Sequence, residues 1–151
     1  MKTTLLVAAA VAALLILFVL HTRLVQNPRV EAELARAPEG ERAGRVLVLE
    51  LPSGKTIPVN YWIDPAETGR SIVYVASDFF WWRELRGVGA PVEIVLRGRR
   101  RTGWGRAIED DPARRDRVYA GLRPTAPKWF GVLVEIVLEG EAAARPDDDR
   151  E

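Results

Sequence analysis

Two groups of side chains in this sequence could carry chemistry: four consecutive aromatic residues and a short run of arginines. The aromatic residues are Phe79, Phe80, Trp81 and Trp82. Their apolar faces could form a wall for a flat ring or a quinone, and four consecutive aromatics on one short helix cannot all face the core. The arginines are Arg97, Arg99, Arg100 and Arg101. They could clamp a phosphate, since guanidinium groups bind it in bidentate fashion; a solvated hairpin tip or a contact with anionic lipid is the competing interpretation.

The residue types that are missing exclude several kinds of site. The chain has no cysteine, which excludes disulfides, thiolate catalysis and sulfur-based zinc sites. The only histidine, His21, lies at the edge of an apolar run, so the rest of the chain has no imidazole for a catalytic triad or a histidine metal cluster. We therefore expect no metal. The formal net charge of +1 gives no reason to expect nucleic acid.

Tyrosines and one acidic pair are the remaining candidates for acid–base chemistry. Tyr61, Tyr74 and Tyr119 could donate protons to a reduced substrate, although a structural role is the favoured interpretation for all three. Asp110 and Asp111 stand directly before Pro112, a position typical of a helix cap rather than of a carboxylate dyad. The sequence thus identifies no catalytic residue.

The composition of the N-terminal segment predicts a membrane helix. Its apolar run begins at Leu5, ends at Leu20 and contains no charge. With Thr3 and Thr4 it would span about 27 Å as a helix, close to the roughly 30 Å of a hydrocarbon core. We expect residues 5–20 to remain as a single-pass anchor, because no small-x-small site follows directly; a cleaved signal peptide, for which Lys2 would supply the basic start, is the alternative. The charges that flank the run leave the side of the membrane open.

Composition divides the chain into four parts. We predict a transmembrane anchor over residues 1–25, a juxtamembrane linker over 26–44 with a short helix at 30–37, a folded domain over 45–140 and a polar disordered tail over 141–151. The folded part has room for one small domain.

Apolar alternation within that domain predicts a mainly β fold. Period-two patterns indicate six strands, at residues 45–51, 55–63, 70–76, 91–97, 103–109 and 129–138. Two helices, at residues 79–88 and 112–122, would cover the sheet. Pro58 favours an edge or bulged position for the second strand, and the almost unbroken apolar character of the last strand favours a central one.

Five successive segments carry a resemblance to a known family. They read ELPSGK, TIPVNYW, YVASD, WWRELRGVGAP and VEIVLRGRRRTGWGRAIE. In order and spacing they resemble the deazaflavin (F420)-dependent nitroreductase family over residues 45–140. That family has a small split β-barrel of the FMN-binding type, so the resemblance implies a six-stranded antiparallel split barrel, here preceded by one transmembrane helix.

The resemblance also implies a cofactor and an activity. Family members grip the phosphate and tail of F420 with the first turn and the end of the third strand. The matching cofactor-binding positions are Ser53, Gly54, Lys55, Pro58, Ser77 and Trp82. We therefore expect a membrane-anchored oxidoreductase that passes hydride from a reduced deazaflavin or flavin to a lipophilic acceptor such as a quinone. FMN and haem are alternative cofactors for the fold, and a homodimer is a further expectation.

Two departures from the family pattern weaken the predicted grip. The family turn Gly-Arg-Lys-Ser-Gly is replaced by a sequence with Pro52 before the Ser-Gly pair, and the family Ala-Ser-Lys ends here in Asp78. A carboxylate beside a phosphate repels it, so we expect weak F420 binding. The alternative function is a split-barrel binding or interaction module at the membrane that has lost the cofactor grip.

Overall fold

Six strands close into one antiparallel barrel in the computed structural model, which describes residues 2–67, 71–127 and 131–139. They are β1 Val46–Glu50, β2 Thr56–Trp62, β3 Ile72–Ser77, β4 Ala90–Leu96, β5 Arg99–Ile108 and β6 Val132–Leu138. Around the barrel they follow the order β1-β2-β3-β6-β5-β4. The predicted six-stranded antiparallel barrel is confirmed, although residues 70, 129 and 130 of the predicted strands lie outside the described residues.

Alternation along the strands fills the barrel. Leu47 and Leu49 of β1 are fully buried and meet Ile94 of β4 in the interior. β6 buries both of its faces, with Ile136 in the interior and Leu133 in a second cluster outside the barrel. This double burial explains the almost continuous apolar sequence of β6 and its place between β3 and β5.

Pro58 lies in a stretch of β2 that pairs with a neighbouring strand on one side only. It lies opposite Val48 of β1, whereas the register between β2 and β3 covers Tyr61 and Trp62 alone in the described part of the chain. Proline lacks an N–H to donate, so it suits a position without a ladder partner on that side. The edge-like position predicted for Pro58 is confirmed.

One predicted helix is found at its expected bounds. The helix α3 spans Pro112–Leu122, and its N-cap is Asp111, whose Oδ1 accepts a hydrogen bond from the Arg114 backbone N–H at 2.9 Å. Its buried face joins Tyr74 and Leu133 in the second cluster. The cap predicted at the acidic pair is therefore confirmed at Asp111, and the helix lies against the outer side of β2 and β3, with Leu133 of β6 in the same cluster.

Two other predictions need correction. The helix expected at residues 79–88 is a shorter 3-10 helix, Phe80–Leu85, called the aromatic helix below; Gly87 and Gly89 follow it at positive φ. The strand β5 begins at Arg99 rather than at residue 103, because Arg97 and Gly98 form the turn with φ of 49° and 72°. The remaining arginines of the run consequently belong to a strand.

The N-terminal segment is helical and continues past the apolar run. It consists of α1 Lys2–His21, a π-helical stretch Thr22–Gln26 and α2 Asn27–Arg36. One helix, Ala10–Arg36, is long and apolar enough to cross a membrane, a test of length and composition that a signal sequence near an N-terminus also passes. The short helix predicted at 30–37 thus lies almost wholly within α2.

The helix α2 and the segment that joins it to β1 pack on the barrel. Leu34 is buried, and a Cβ at Gly98 would lie 2.5 Å from the Cβ of Pro38, so the linker closely approaches the β4–β5 turn. The four-part division of the chain stays a prediction, and its tail at 141–151 lies outside the described residues.

Candidate functional site

The turn between β1 and β2 presents at its tip two donors that its own backbone hydrogen bonds do not use. Leu51 donates its backbone N–H to the Lys55 carbonyl at 2.9 Å and accepts a hydrogen bond from Gly54 at 2.8 Å. Gly54 has φ of 76°, which lets the chain reverse in so few residues. These internal hydrogen bonds leave the N–H and the hydroxyl of Ser53 directed away from the turn.

Both donors of Ser53 bind one carboxylate. Its backbone N–H lies 3.1 Å from Oε2 of Glu84, and its Oγ lies 3.1 Å from Oε1 of the same residue. Glu84 belongs to the aromatic helix, so this contact ties the turn to that helix. The turn therefore binds an oxyanion, and that oxyanion comes from the chain itself.

The aromatic helix separates its side chains between core and surface. Leu85 is fully buried, and Trp81 and Trp82 pack partly buried against the barrel core. Phe80 is 70% exposed, and Phe79 just before it is 53% exposed. The expectation that at least one of the four aromatics faces outward is met, and the helix offers an apolar surface beside the Ser53 turn.

Two arginines lie on these rings. The guanidinium carbon of Arg83 is 4.5 Å from the centroid of the Phe80 ring, and that of Arg86 is 5.5 Å from a Trp82 ring. Arg86 also pairs with Glu109 at 2.8 Å. Cations over ring faces are held by the ring quadrupole, so the aromatic surface carries positive charge along its exposed side.

The end of β3 is closed by contacts within the chain. Ser77 is buried and donates its hydroxyl to the Phe79 carbonyl at 2.5 Å. Asp78 Oδ1 accepts a hydrogen bond from Nη2 of Arg123 at 2.6 Å. A Cβ at Gly131 would lie 2.7 Å from the Ser77 carbonyl oxygen, so the backbone just before β6 also lies close to the end of β3. The side chains of Ser77 and Asp78 are thus already engaged.

The six predicted cofactor-binding residues are only partly brought together. Ser53 contacts the helix that carries Trp82, and Ser77 lies just before that helix. Lys55 is half-buried and makes no ion pair with any residue that the structure describes, whereas Pro58 lies further along β2 opposite Val48. These placements leave the predicted cofactor role of all six residues a prediction.

Sequence reasoning missed Glu84 and Arg123. Both act across long separations in the chain, over 31 residues to Ser53 and over 45 residues to Asp78. The only available signal was that Glu84 is the single acidic residue in the segment WWRELR.

The four arginines of the run lie in two elements: Arg97 is in the β4–β5 turn, and the other three are in β5. Arg100 donates to Glu93 at 2.5 Å and to Glu50 at 3.4 Å, and the hydrogen bond with Glu93 raises the pKa of Arg100. Arg97 donates instead to the Tyr61 hydroxyl at 3.3 Å. The guanidinium groups of Arg97 and Arg100 are thus engaged by different partners within the chain, which does not favour their joint use as a phosphate clamp.

The three tyrosines are built into the fold. Tyr61 is buried and donates to the Ala43 carbonyl at 3.1 Å. Burial, followed by a hydrogen bond to Glu67, raises the pKa of Tyr74, and burial raises the pKa of Tyr119. The Tyr119 hydroxyl has no hydrogen-bond partner among the described residues. Raised pKa values disfavour the phenolate, in agreement with structural roles.

Charged residues beneath α3 form a separate, partly buried network. Glu135 pairs with Arg114 at 2.7 Å and lies 3.3 Å from the Tyr74 hydroxyl, while Arg117 reaches Asp64 at 3.0 Å and Glu67 at 3.3 Å. Every acid in this network has a basic partner. Within the described ranges, no group of three or more His, Cys, Asp or Glu side chains could hold a metal ion.

A cavity of about 830 Å³ lies along α2. Its lining includes Arg29, Glu33, Arg36 and Arg42, and Arg42 pairs with Glu33 at 2.6 Å. None of the six predicted cofactor-binding residues lines it, so this cavity is distinct from the Ser53 turn.

Comparison with solved structures finds a structural likeness, whereas comparison of sequences does not. No family model matches the chain, and no curated protein does. A solved structure described as the general stress FMN/FAD binding protein from the phytopathogen Xanthomonas citri is 19% identical, with a TM-score of 0.47. The match covers 64% of this chain and 76% of that one. The strand order and register by themselves define the closed six-stranded barrel of this chain.

Proposed function

We propose that this chain is a membrane-anchored oxidoreductase of the flavin or deazaflavin type, acting on a lipophilic acceptor such as a quinone. The observation that supports it is the meeting of an oxyanion-binding turn with an aromatic surface. Ser53 directs two donors toward the aromatic helix, and Trp82 on that helix carries a guanidinium over its ring. A ligand that joins a flat ring to a phosphate needs these two features together.

The residues do not fit F420 held in the family manner. The donors of Ser53 are taken by Glu84, and Asp78 stands where the family has a lysine. Pro52 supplies neither a cation nor an N–H. A bound deazaflavin or flavin would supply hydride chemistry; the chain's own contribution is the apolar surface for a ring.

The apolar N-terminal helix supports the choice of a lipophilic acceptor in this proposal. Its side chains are exposed from Leu14 to Phe18, in the manner of a segment whose apolar surface faces lipid. Phe79 and Phe80 add exposed aromatic surface on the barrel. An acceptor that partitions into a bilayer would meet a tethered barrel at high local concentration.

A second candidate is the binding or interaction module without a cofactor. It is favoured by an apolar row on the outside of the barrel, in which neighbouring strands place Ile72 opposite Val137, Val137 opposite Trp104, and Trp104 opposite Pro91. Trp104 is 48% exposed. Exposed contiguous apolar surface of this kind is typical of a protein contact.

An absorbance experiment separates the two candidates. The full chain, purified in detergent, is dialysed to equilibrium against excess F420, FMN or haem, so that weakly bound ligand is also detected, and the spectra of the protein and ligand compartments are compared. The oxidoreductase proposal predicts a bound chromophore that Trp82→Ala weakens and Trp104→Ala does not. Retention of none of the three by wild-type protein favours the interaction module.

A further inference from the structure

We propose that Glu84 is an internal occupant of an anion site at the β1–β2 turn, so that a phosphate-bearing ligand binds Ser53 only after Glu84 leaves. The proposal concerns which anion the turn holds and requires no redox reaction. It therefore stands or falls independently of the proposed function.

The geometry of the contact is that of a bound anion. Each carboxylate oxygen of Glu84 takes one donor of Ser53, the backbone N–H and the hydroxyl, both at 3.1 Å. A phosphate offers pairs of oxygens to the same kind of donors, and hydrogen bonds to a charged acceptor are stronger than neutral ones. The turn is preorganised to bind an anion, because the hydrogen bond from the Gly54 N–H to the Leu51 carbonyl fixes the backbone around Ser53.

Glu84 can leave without disturbing its helix. Its side chain is exposed, and the hydrogen bonds that it accepts are exposed as well. The backbone of the helix is held by other residues, through fully buried Leu85 and through Trp81 and Trp82 against the core. Exposed charged contacts contribute little stability, so water or an incoming anion can replace the carboxylate.

Removing the carboxylate makes the surroundings more positive. Lys55 follows the turn, Arg83 directly precedes Glu84 on the aromatic helix, and Arg86, which pairs with Glu109, follows that helix. The nearby acids are engaged with other cations, Asp78 with Arg123 and Glu50 with Arg100. Neutralising Glu84 frees two donors and also removes the negative charge closest to them.

A structural brace is the competing explanation of the same contact. In that case Glu84 does no more than fasten the turn to the aromatic helix, and its loss loosens the turn without creating an anion site. The two explanations differ in what inorganic phosphate does to Ser53.

The test is phosphate titration of the full chain in detergent micelles at low salt, followed by the amide resonance of Ser53 in ¹⁵N–¹H spectra. Variants are Glu84→Gln, which keeps the shape, and Glu84→Asp, which keeps the charge but shortens the reach. The matched control is Glu41→Gln, which removes a carboxylate that pairs with Arg45.

We expect phosphate to shift the Ser53 resonance in Glu84→Gln at a concentration at least about tenfold lower than in wild-type protein or Glu41→Gln. Adding Ser53→Ala should abolish that gain. Glu84→Asp should show a smaller gain in the same direction. The proposal would be overturned if phosphate shifted the Ser53 resonance equally in wild-type protein and in both Glu84 variants. It would also be overturned if the Ser53 amide became mobile in the Glu84 variants and its resonance did not change with phosphate.

Discussion

Arg123 reaches back from the end of α3 to Asp78 at the end of β3, with 2.6 Å between Nη2 and Oδ1. This pair closes the strand end at which the resemblance implies a lysine for a phosphate. The carboxylate is therefore a structural partner of a guanidinium in this chain, and its replacement has consequences for the fold as well as for binding.

Asp78→Lys should lower the free energy of unfolding. The side chain of Arg123 is 17% exposed and that of Asp78 is 40% exposed, so solvent screens the contact in part. We expect a loss of about 1–2 kcal/mol, because a charge-assisted hydrogen bond disappears and two cations face each other. Urea denaturation checks this, with Asp110→Lys, also at an exposed acidic position, as the control. An unchanged midpoint for Asp78→Lys would show that the pair contributes nothing.

Alkaline pH should destabilise the barrel through its buried tyrosines. Burial and Glu67 raise the pKa of Tyr74, so folded protein keeps this proton at a pH where unfolded protein loses it. The contribution to stability is complete below about pH 10, the ordinary tyrosine value, and falls as pH rises from there toward the raised pKa. Denaturation at several pH values should show a smaller alkaline loss in Tyr74→Phe than in wild-type protein. An identical slope would exclude Tyr74 as its source.

Gly121 is required for α3 to approach β2. A Cβ at this position would lie 2.3 Å from the Trp62 ring, well inside van der Waals contact. We expect Gly121→Ala to cost about 1–3 kcal/mol of unfolding free energy, as overpacking does in other cores. Gly44→Ala is the matched control, since a Cβ there meets nothing within 4 Å. Thermal melting compares the two, and equal melting temperatures would contradict the packing described here.

The N-terminal helix should be separable from the barrel. Deleting residues 1–25 removes the apolar run and leaves Leu34, which packs on the domain, in place. We expect the shortened chain to be soluble without detergent and the full chain to sediment with membranes. Intact mass of the membrane-bound protein provides the check. A mature chain that begins after residue 20 would establish a cleaved signal peptide instead.

Local sequence patterns predicted much of the fold. Three features depend on only a few neighbouring residues, so the sequence alone predicts them. They are the burial of Leu47 and Leu49 at alternate positions of β1, the cap at Asp111 before Pro112, and the edge-like position of Pro58, which has no N–H to donate. The sequence places a turn at Gly98, but the start of β5 directly after it was missed, because three consecutive arginines at residues 99–101 lack the apolar alternation that indicates a strand.

The site was predictable in part for the same reason. The turn at Ser53 and the aromatic helix are both local features of the sequence. Their contact through Glu84 joins residues 31 positions apart, and only the closed barrel brings the two together. The resemblance identified positions along the chain but gave no information about which internal groups occupy them.

The most direct test of the central claim is fluorescence titration of F420 and FMN against the full chain at low and high salt. The proteins are wild type, Glu84→Gln, and Glu84→Gln combined with Pro52→Lys. We predict weak binding of either ligand by wild-type protein and tighter binding in the single variant. The double variant should gain on the order of 1–3 kcal/mol more, with the gain shrinking as salt rises. Tight wild-type binding that neither change alters would contradict the account, because the phosphate would then be held away from Ser53.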